Sequence, residues 1–476
     1  MRKQAKWMAP VMAFALVIAA CGSDDDDSST DTSATEGTEA TDGTDAPAET
    51  DATDDTEAPA DTDAMEETDG AEVIGVTDDT ITIGLNADLS GIFAPLVTQI
   101  VDGQEAFWEI VNDNGGIDGR QVELVVLDNA YDVPTHLENY DSMAGEGDDG
   151  VIMFSQSTGS PHTTATADLL VEDDLIAIPL SWYSGWADPA IGQNVMELYT
   201  NYCFEAMNGI EYLAGVNDAQ TVGIVSFPGE YGQDGATGAK IAAEALGLEV
   251  VYDGEGAVVP GADQTPVVTE LVAADPDIVW ATLNPSTLAE ILGAAAAQGL
   301  TAQWSGNSPS WNFQLLATDV GPVADEVYTH STYTQLWNTG DVPGMTEVVE
   351  GMREKRPDAP ISDQYIVSWT EGYATQQVLE LAAANGDLTR AGVTAALPDL
   401  QADFKGLAPD QTWSGEPNDF VVRESFLYDV DMANFSADAT VSDEDAGTGY
   451  TLLEANYVGD IAANYDFQEA CFTPEG

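Results

Sequence analysis

The sequence predicts an α/β protein of two doubly wound parallel-sheet lobes joined by a multi-strand hinge. Three observations lead there. Past a leader and an acidic tract, about 400 residues of the 476 remain, more than one hydrophobic core usually supports. Those residues carry short apolar runs that alternate with longer helical patterns, as expected for parallel strands covered on both faces. The alternation occurs in two series, with a break near Tyr199.

In the first series, "ITIGLNA" (81–87) precedes a helical stretch around Gln104 to Val111. "VELVVLD" (122–128) precedes Pro134 to Met143, "VIMF" (151–154) precedes His162 to Val171, and "LIAIPL" (175–180) closes the series. The second opens with a helix near Cys203 to Leu213, then "VGIVSF" (222–227), a helix from Gly235 to Leu246 and "LEVVYD" (248–253). A helix from Thr265 to Ala274, "IVWATL" (278–283) and a helix from Ser286 to Gln298 complete it. After Val327 the pattern is helical, from Met345 to Lys355 and Tyr365 to Asn385, with "FVVRESFLYDV" (420–430) as a late strand pair. Returning the helical part to the first lobe and the late strands to the second gives 73–199 with 331–419 as lobe 1 and 200–330 with 420–476 as lobe 2. The several parallel crossings this requires make a hinge.

The leader is residues 1–20: Arg2, Lys3 and Lys6 give a basic start and Met8 to Ala20 an apolar stretch of secretory length. It is shorter than the about 20 apolar residues that span a bilayer. Its end, Ile18-Ala19-Ala20-Cys21, resembles the bacterial lipobox, which implies cleavage before Cys21, acylation of its sulfur and attachment to the outer face of the cell membrane. Residues 21–72 then read as a disordered tether. From 22 to 72 there are 20 acidic residues, no Lys or Arg and almost no large apolar side chain, so the tract cannot bury enough surface to fold and repels itself into an extended chain. Asp24 to Asp27 have no fixed backbone to hold a metal.

The whole chain has 85 Asp plus Glu against 11 Lys plus Arg. That balance excludes nucleic acid as a partner, because phosphate contacts need a basic face, and speaks against anionic head groups for the same reason. It suits solubility in a salty medium. Beyond Cys21 only Cys203 and Cys471 remain, which could pair into one disulfide in an oxidising exterior. With no CxxC and three histidines, no metal site and no cofactor are expected.

In open α/β sheets ligands lie beyond the carboxyl ends of the strands. The loops there are "NADLSGIF", "SQSTGSPH", "SWYSGW", "PGEYGQDG", "NPST" and "SGNSPSW", rich in hydroxyls, glycines and aromatics. None holds Gly-x-Ser-x-Gly, a P-loop or HExxH, so the loops are poor in catalytic pairs. Ser155, Ser157 and Thr158, with the amides that open the next helix, could bind a carboxylate or carbonyl oxygen, or cap that helix, or both. Trp182, Tyr183 and Tyr231 follow strand ends and are assigned to the cleft; Trp280 and Trp304 lie within strands and are assigned to the core. No Lys or Arg occurs in the six loops, which favours a zwitterionic, neutral polar or cationic solute with an apolar part.

Several stretches together resemble the type I periplasmic solute-binding proteins of ABC importers, in the leucine/isoleucine/valine-binding subgroup. They are "ITIGLNADLSG", "VNDNGGIDGRQVELVVLDNAYDVP", "SQSTGSPH" before a helix, "AIPLSW", Tyr231-Gly232 after "VGIVSF", and "DIVWATL". The resemblance implies a two-lobed monomeric clamp, not an enzyme, that closes on a small organic solute, such as an amino acid, an amide or a related amphipathic compound, and presents it to a permease in the membrane. It sets Ser157 and Thr158 near the family's carboxylate-binding hydroxyls and Leu180 to Trp182 where that site is completed. Ser155, Ser157, Thr158, Ser181, Trp182 and Tyr183 would then capture the solute, with Tyr231, Asn284 and Ser308 closing over it. Where the family's amino-acid binders carry a second-lobe acid for the ammonium group, this chain has Asn307 or Ser308, with Glu230 or Asp234 as substitutes. A ligand sensor that signals to a membrane partner through the same clamp is the alternative.

Overall fold

The computed structural model describes residues 73–146 and 150–474, so the leader, the tether and the lipidation at Cys21 lie outside the described residues. The first series folds as β1 (Thr80–Ala87), α1 (Ala94–Asp113), β2 (Gln121–Asp128), α2 (Val133–Ala144), β3 (Phe154–Thr158), α3 (Ser160–Glu172) and β4 (Ala177–Leu180). Its strands pair in parallel in the order β2-β1-β3-β4. The second series folds as α4 (Tyr202–Asn217), β5 (Thr221–Ser226), α5 (Gly229–Leu246), β6 (Glu249–Gly254), α6 (Thr265–Ala274), β7 (Ile278–Thr282), α7 (Pro285–Ala297) and β8 (Gln303–Gly306). It repeats the same order, β6-β5-β7-β8, again in parallel. In each sheet the two inner strands are almost wholly buried, and β1, β5 and β7 among them are largely apolar, while β2 and β6 at one edge show partly exposed residues. This is the burial that a helix layer on each face imposes.

The chain then adds α8 (Gly321–Val327), β9 (Thr329–Thr332), α9 (Pro343–Lys355), α10 (Gln364–Ala384) and α11 (Arg390–Ala396). A two-residue ladder, β10 (Gln401–Ala402) on β11 (Gln411–Thr412), and a turn of helix α12 (Pro417–Phe420) lead to β12 (Ser425–Phe435) and β13 (Thr448–Tyr457). Helix α10 lies on α1, where Gln104 Nε2 donates to Glu371 Oε2 at 2.6 Å and Ser368 Oγ to the Ile100 carbonyl at 2.8 Å. The antiparallel sheet β13-β12-β9 meets the second parallel sheet through a bridge between Tyr328 and Trp304. A disulfide joins Cys203 on α4 to Cys471 near the C-terminus.

Two elements differ from the sequence expectation. The strand expected at 151–154 runs from Phe154 to Thr158, so the hydroxyl-rich "SQST" is strand and not loop. The late strand pair expected within 420–430 is instead a helical turn ending at Phe420 and one long strand, whose partner β13 lies further along. From Thr451 onward β13 faces solvent with Leu452 and Leu453 side by side, so neither a buried run nor a period of two marks it.

Candidate functional site: a cavity at the carboxyl ends of both sheets

A cavity of about 760 Å³, its open mouth included, lies where both parallel sheets end. In each sheet the strand order reverses between the first and third strands in sequence, β1 and β3 or β5 and β7, which is where ligand crevices form. One wall is aliphatic and aromatic: Phe93, Leu96, Val97 and Ile100 from α1 and its approach, with Leu336 and Val367. Thr158, Gly159, Ser160, Leu180, Trp182 and Tyr202 make a second wall. Tyr231, Ser308, Pro309 and Trp311 come from the loops and helix starts beyond β5 and β8.

The second wall is built on the start of α3. Gly159 caps that helix with φ +105°, and a Cβ there would lie 2.3 Å from His162 Nδ1. Gly159→Ala should therefore cost about 1–3 kcal/mol of stability, read from the denaturant midpoint; an unchanged midpoint would mean that the turn relaxes freely. The unpaired amides of the first turn make this end electropositive. Ser160 Oγ is 2.7 Å from Ser181 Oγ, and Trp186 Nε1 donates to Ser181 Oγ at 3.2 Å, so Ser181 orients Ser160 from behind. The Tyr202 ring is 6.0 Å from Trp182 and 4.7 Å from Tyr231. Burial pushes the Tyr202 and Tyr131 hydroxyls far above the ordinary phenol range, so both are neutral donors at physiological pH. Trp182 stacks on Tyr333 with centroids 4.2 Å apart, and its indole Nε1–H is buried without a partner.

Among the described residues no Lys or Arg lines the cavity. Beneath the start of α3, His162 is pushed down to about 4 and His136 to about 3, chiefly by burial, so neither supplies positive charge at neutral pH.

Of the residues singled out in the sequence, Thr158, Trp182, Tyr231 and Ser308 line the cavity together. The others lie outside that lining. Register shifts between Phe154 and Ser157 break the alternation of β3. Ser155 consequently faces Gln104 and Thr375 on the helices, at 3.1 and 2.9 Å, while Ser157 faces His136 and Thr163, at 3.3 and 2.9 Å. Ser181 stands behind Ser160. Tyr183 turns away, its hydroxyl donating to the Phe472 carbonyl at 2.6 Å. Asn284 is the N-cap of α7, accepting from the Thr287 amide at 3.0 Å.

Asn307 is buried beneath the lining, where its Nδ2 donates to Glu205 Oε2 at 2.7 Å. Burial raises Glu205 to about 8, so it is protonated at neutral pH. Neither Glu230 nor Asp234 lines the cavity; Asp234 is fully buried and accepts from the Ser184 amide and hydroxyl. Trp280 and Trp304 are core residues.

Sequence reasoning missed Ser160, Tyr202, Tyr131, Tyr333, His330 and Asp363. Ser160 sat within "SQSTGSPH", and the aromatic and hydroxyl content of "YTHSTYT" (328–334) was the available signal for Tyr333 and His330.

The fold has known counterparts. A fatty acid ABC transporter substrate-binding protein from Thermomonospora curvata is 27% identical with a TM-score of 0.73, over 83% of this chain and 96% of that one. A branched-chain amino acid ABC transporter protein from Thermus thermophilus, solved with bound valine, has a TM-score of 0.67 at 18% identity, over 82% and 99% of the two chains, and shares the fold. The "Leu/Ile/Val-binding protein homolog 2" of Brucella abortus (strain 2308) is 29% identical over 261 residues, which are 53% of this chain and 66% of that protein, just under two thirds of its length. The family described as "Periplasmic binding protein" matches residues 80–437, which hold both parallel sheets and every residue named above as lining the cavity, and the chain belongs to that family.

Proposed function

We propose that the protein is the solute-binding component of an ABC importer, anchored outside the cytoplasmic membrane through Cys21, acting as a monomeric clamp without catalytic activity and delivering its cargo to a membrane permease. Segments 73–199 with 331–419 form one jaw and 200–330 with 420–476 the other. The solute is an amphipathic organic acid or its carbonyl analogue. Its head sits at the start of α3, against Ser160 and the phenols of Tyr202 and Tyr131, and its apolar body lies along Phe93, Leu96, Val97 and Ile100. The observation that carries this reading is the pairing of an electropositive helix start with the apolar wall of Phe93, Leu96, Val97 and Ile100 in one cavity.

An α-amino acid fits this head site less well, since the nearby Glu205 is protonated and already engaged by Asn307 and the Ser308 amide. The fatty-acid-binding name of the Thermomonospora protein supports the same choice.

Calorimetric titration of unbranched carboxylates tests it. Affinity should rise about fourfold per added methylene, the equivalent of about 0.8 kcal/mol of buried CH₂, until the cavity is full, with valine and leucine binding weakly. Trp182→Ala should cost at least about thirtyfold in Kd, as expected for a central aromatic contact. Tight valine binding with no chain-length trend, or consumption of an ester or amide by catalytic amounts of protein, would refute the proposal.

A further inference from the structure

Beyond Thr332 the cavity does not end in hydrocarbon. Ser308 Oγ donates to Thr332 Oγ1 at 3.1 Å, and the next residue, Tyr333, stacks on Trp182. Two residues back along β9, about 7 Å away by strand geometry, His330 lines the same cavity. It is 4% exposed, and its Nδ1 is buried with no hydrogen-bond partner. Its ring stacks on Tyr450, with centroids 5.6 Å apart.

Tyr450 donates to Asp363 Oδ2 at 3.2 Å and accepts from Trp311 Nε1 at 3.0 Å. Asp363 is 6% exposed and also lines the cavity. Its Oδ1 accepts from the Trp337 amide at 2.9 Å and from Thr448 Oγ1 at 2.7 Å. Among the described residues no cation pairs with it, although a buried carboxylate is costly without one. Asp363 Oδ2 accepts only from Tyr450 among those residues, and the His330 ring stands in the same wall.

We propose that this end, walled by His330, Trp311, Asp363 and Tyr450, is a second polar subsite that receives a hydrogen-bond-donating group, hydroxyl or ammonium, at the far end of the bound solute. The inference rests on reading the cavity as the solute site. Asp363 Oδ2 accepts the donor, and His330 pairs with the same group through its free nitrogen. The preferred cargo therefore has two polar ends separated by an apolar span, and a plain alkyl chain adds neither a donor nor a cation to the buried Asp363.

Titrating the full chain with a medium-chain n-alkanoate and with its ω-hydroxy and ω-amino derivatives of equal length tests this. The substituted acids should bind about tenfold more tightly than the methyl-ended one. Asp363→Asn should abolish the ω-amino advantage, and His330→Leu should reduce the ω-hydroxy advantage. The readout is the ratio of affinities within each variant, which a general loss of folded protein leaves unchanged. A methyl-ended acid that binds equally well or better, or ratios unmoved in both variants, would overturn the subsite. If no carboxylate binds but the matching n-alkylamine does, in a manner lost in Asp363→Asn, the head-group assignment at α3 fails and the subsite stands. If neither carboxylates nor the alkylamine bind, both are wrong.

Discussion

Replacing Cys203 and Cys471 together by alanine is expected to lower the unfolding free energy by about 2–5 kcal/mol. The bridge joins residues 268 apart in sequence, and for a loop of that length the chain-entropy relation gives about 5–6 kcal/mol, an upper bound that disulfides usually fall short of. The stabilised region should be specific. Next to the bridge, the Cys471 amide donates to Ser184 Oγ at 2.8 Å and Tyr183 holds the Phe472 carbonyl, so the C-terminal segment is stitched to the turn after β4 as well as to α4. Without the bridge the segment beyond the buried Phe467 depends chiefly on those two hydrogen bonds, which net contributions of about 1 kcal/mol each order only weakly. Guanidinium unfolding of the oxidised protein and the double variant measures the total, and amide exchange over 465–474 measures the local part. A midpoint unchanged in the double variant would show that the cross-link contributes no stability.

The order of elements in both series was legible because it rests on burial. β1, β5 and β7 are inner strands of sheets covered on both faces, so they read as near-continuous apolar runs. "NGGIDGR" was legible for a related reason. It forms the turn from α1 to β2, where Ile117 and Arg120 bridge, and a side chain at Gly116, φ +68°, would put its Cβ 1.8 Å from the Arg120 carbonyl oxygen. That stretch identifies the fold through its backbone and takes no part in lining the cavity.

The individual site residues were harder to read, because a loop position says which end of a sheet a side chain is near and not where it points. Ser155 and Ser157 have the right chemistry, but irregular pairing in β3 turns them onto α1 and α2, while Ser160, one residue into the helix, reaches the cavity. Tyr333, His330 and Asp363 were invisible as site residues for a different reason: they come from the return of the chain after Val327, whose placement depends on long-range packing of α10 on α1.

Raising the pH from 5 to 8 is expected to destabilise the fold, and Glu197→Gln is expected to flatten that dependence. Burial raises Glu197 to about 8, Glu205 to about 8, Asp234 to about 7 and Asp363 to about 6, and lifts Glu371 well above its usual range. The unfolded chain loses these protons near pH 4, whereas the folded chain keeps them, so between those limits the native state binds more protons and unfolding becomes easier as pH rises. Each group held protonated only in the folded state costs about 1.4 kcal/mol per pH unit over its own window. Glu197 isolates one such contribution. Burial is the sole cause of its shift, and its Oε1 has no hydrogen-bond partner, so an amide of the same shape removes the titration without breaking a contact. The variant should gain about 2–4 kcal/mol over the parent at pH 8 and little at pH 5. Surface repulsion in so acidic a chain also grows with pH, but it is screened when salt rises from 0.1 M to 1 M and the Debye length falls from about 10 to about 3 Å. A Glu197→Gln advantage at pH 8 that survives 1 M NaCl belongs to the buried carboxyl. Parallel stability curves for variant and parent at both salt concentrations would show that Glu197 is ionised in the folded protein, and would assign the acid-favoured stability to the surface instead.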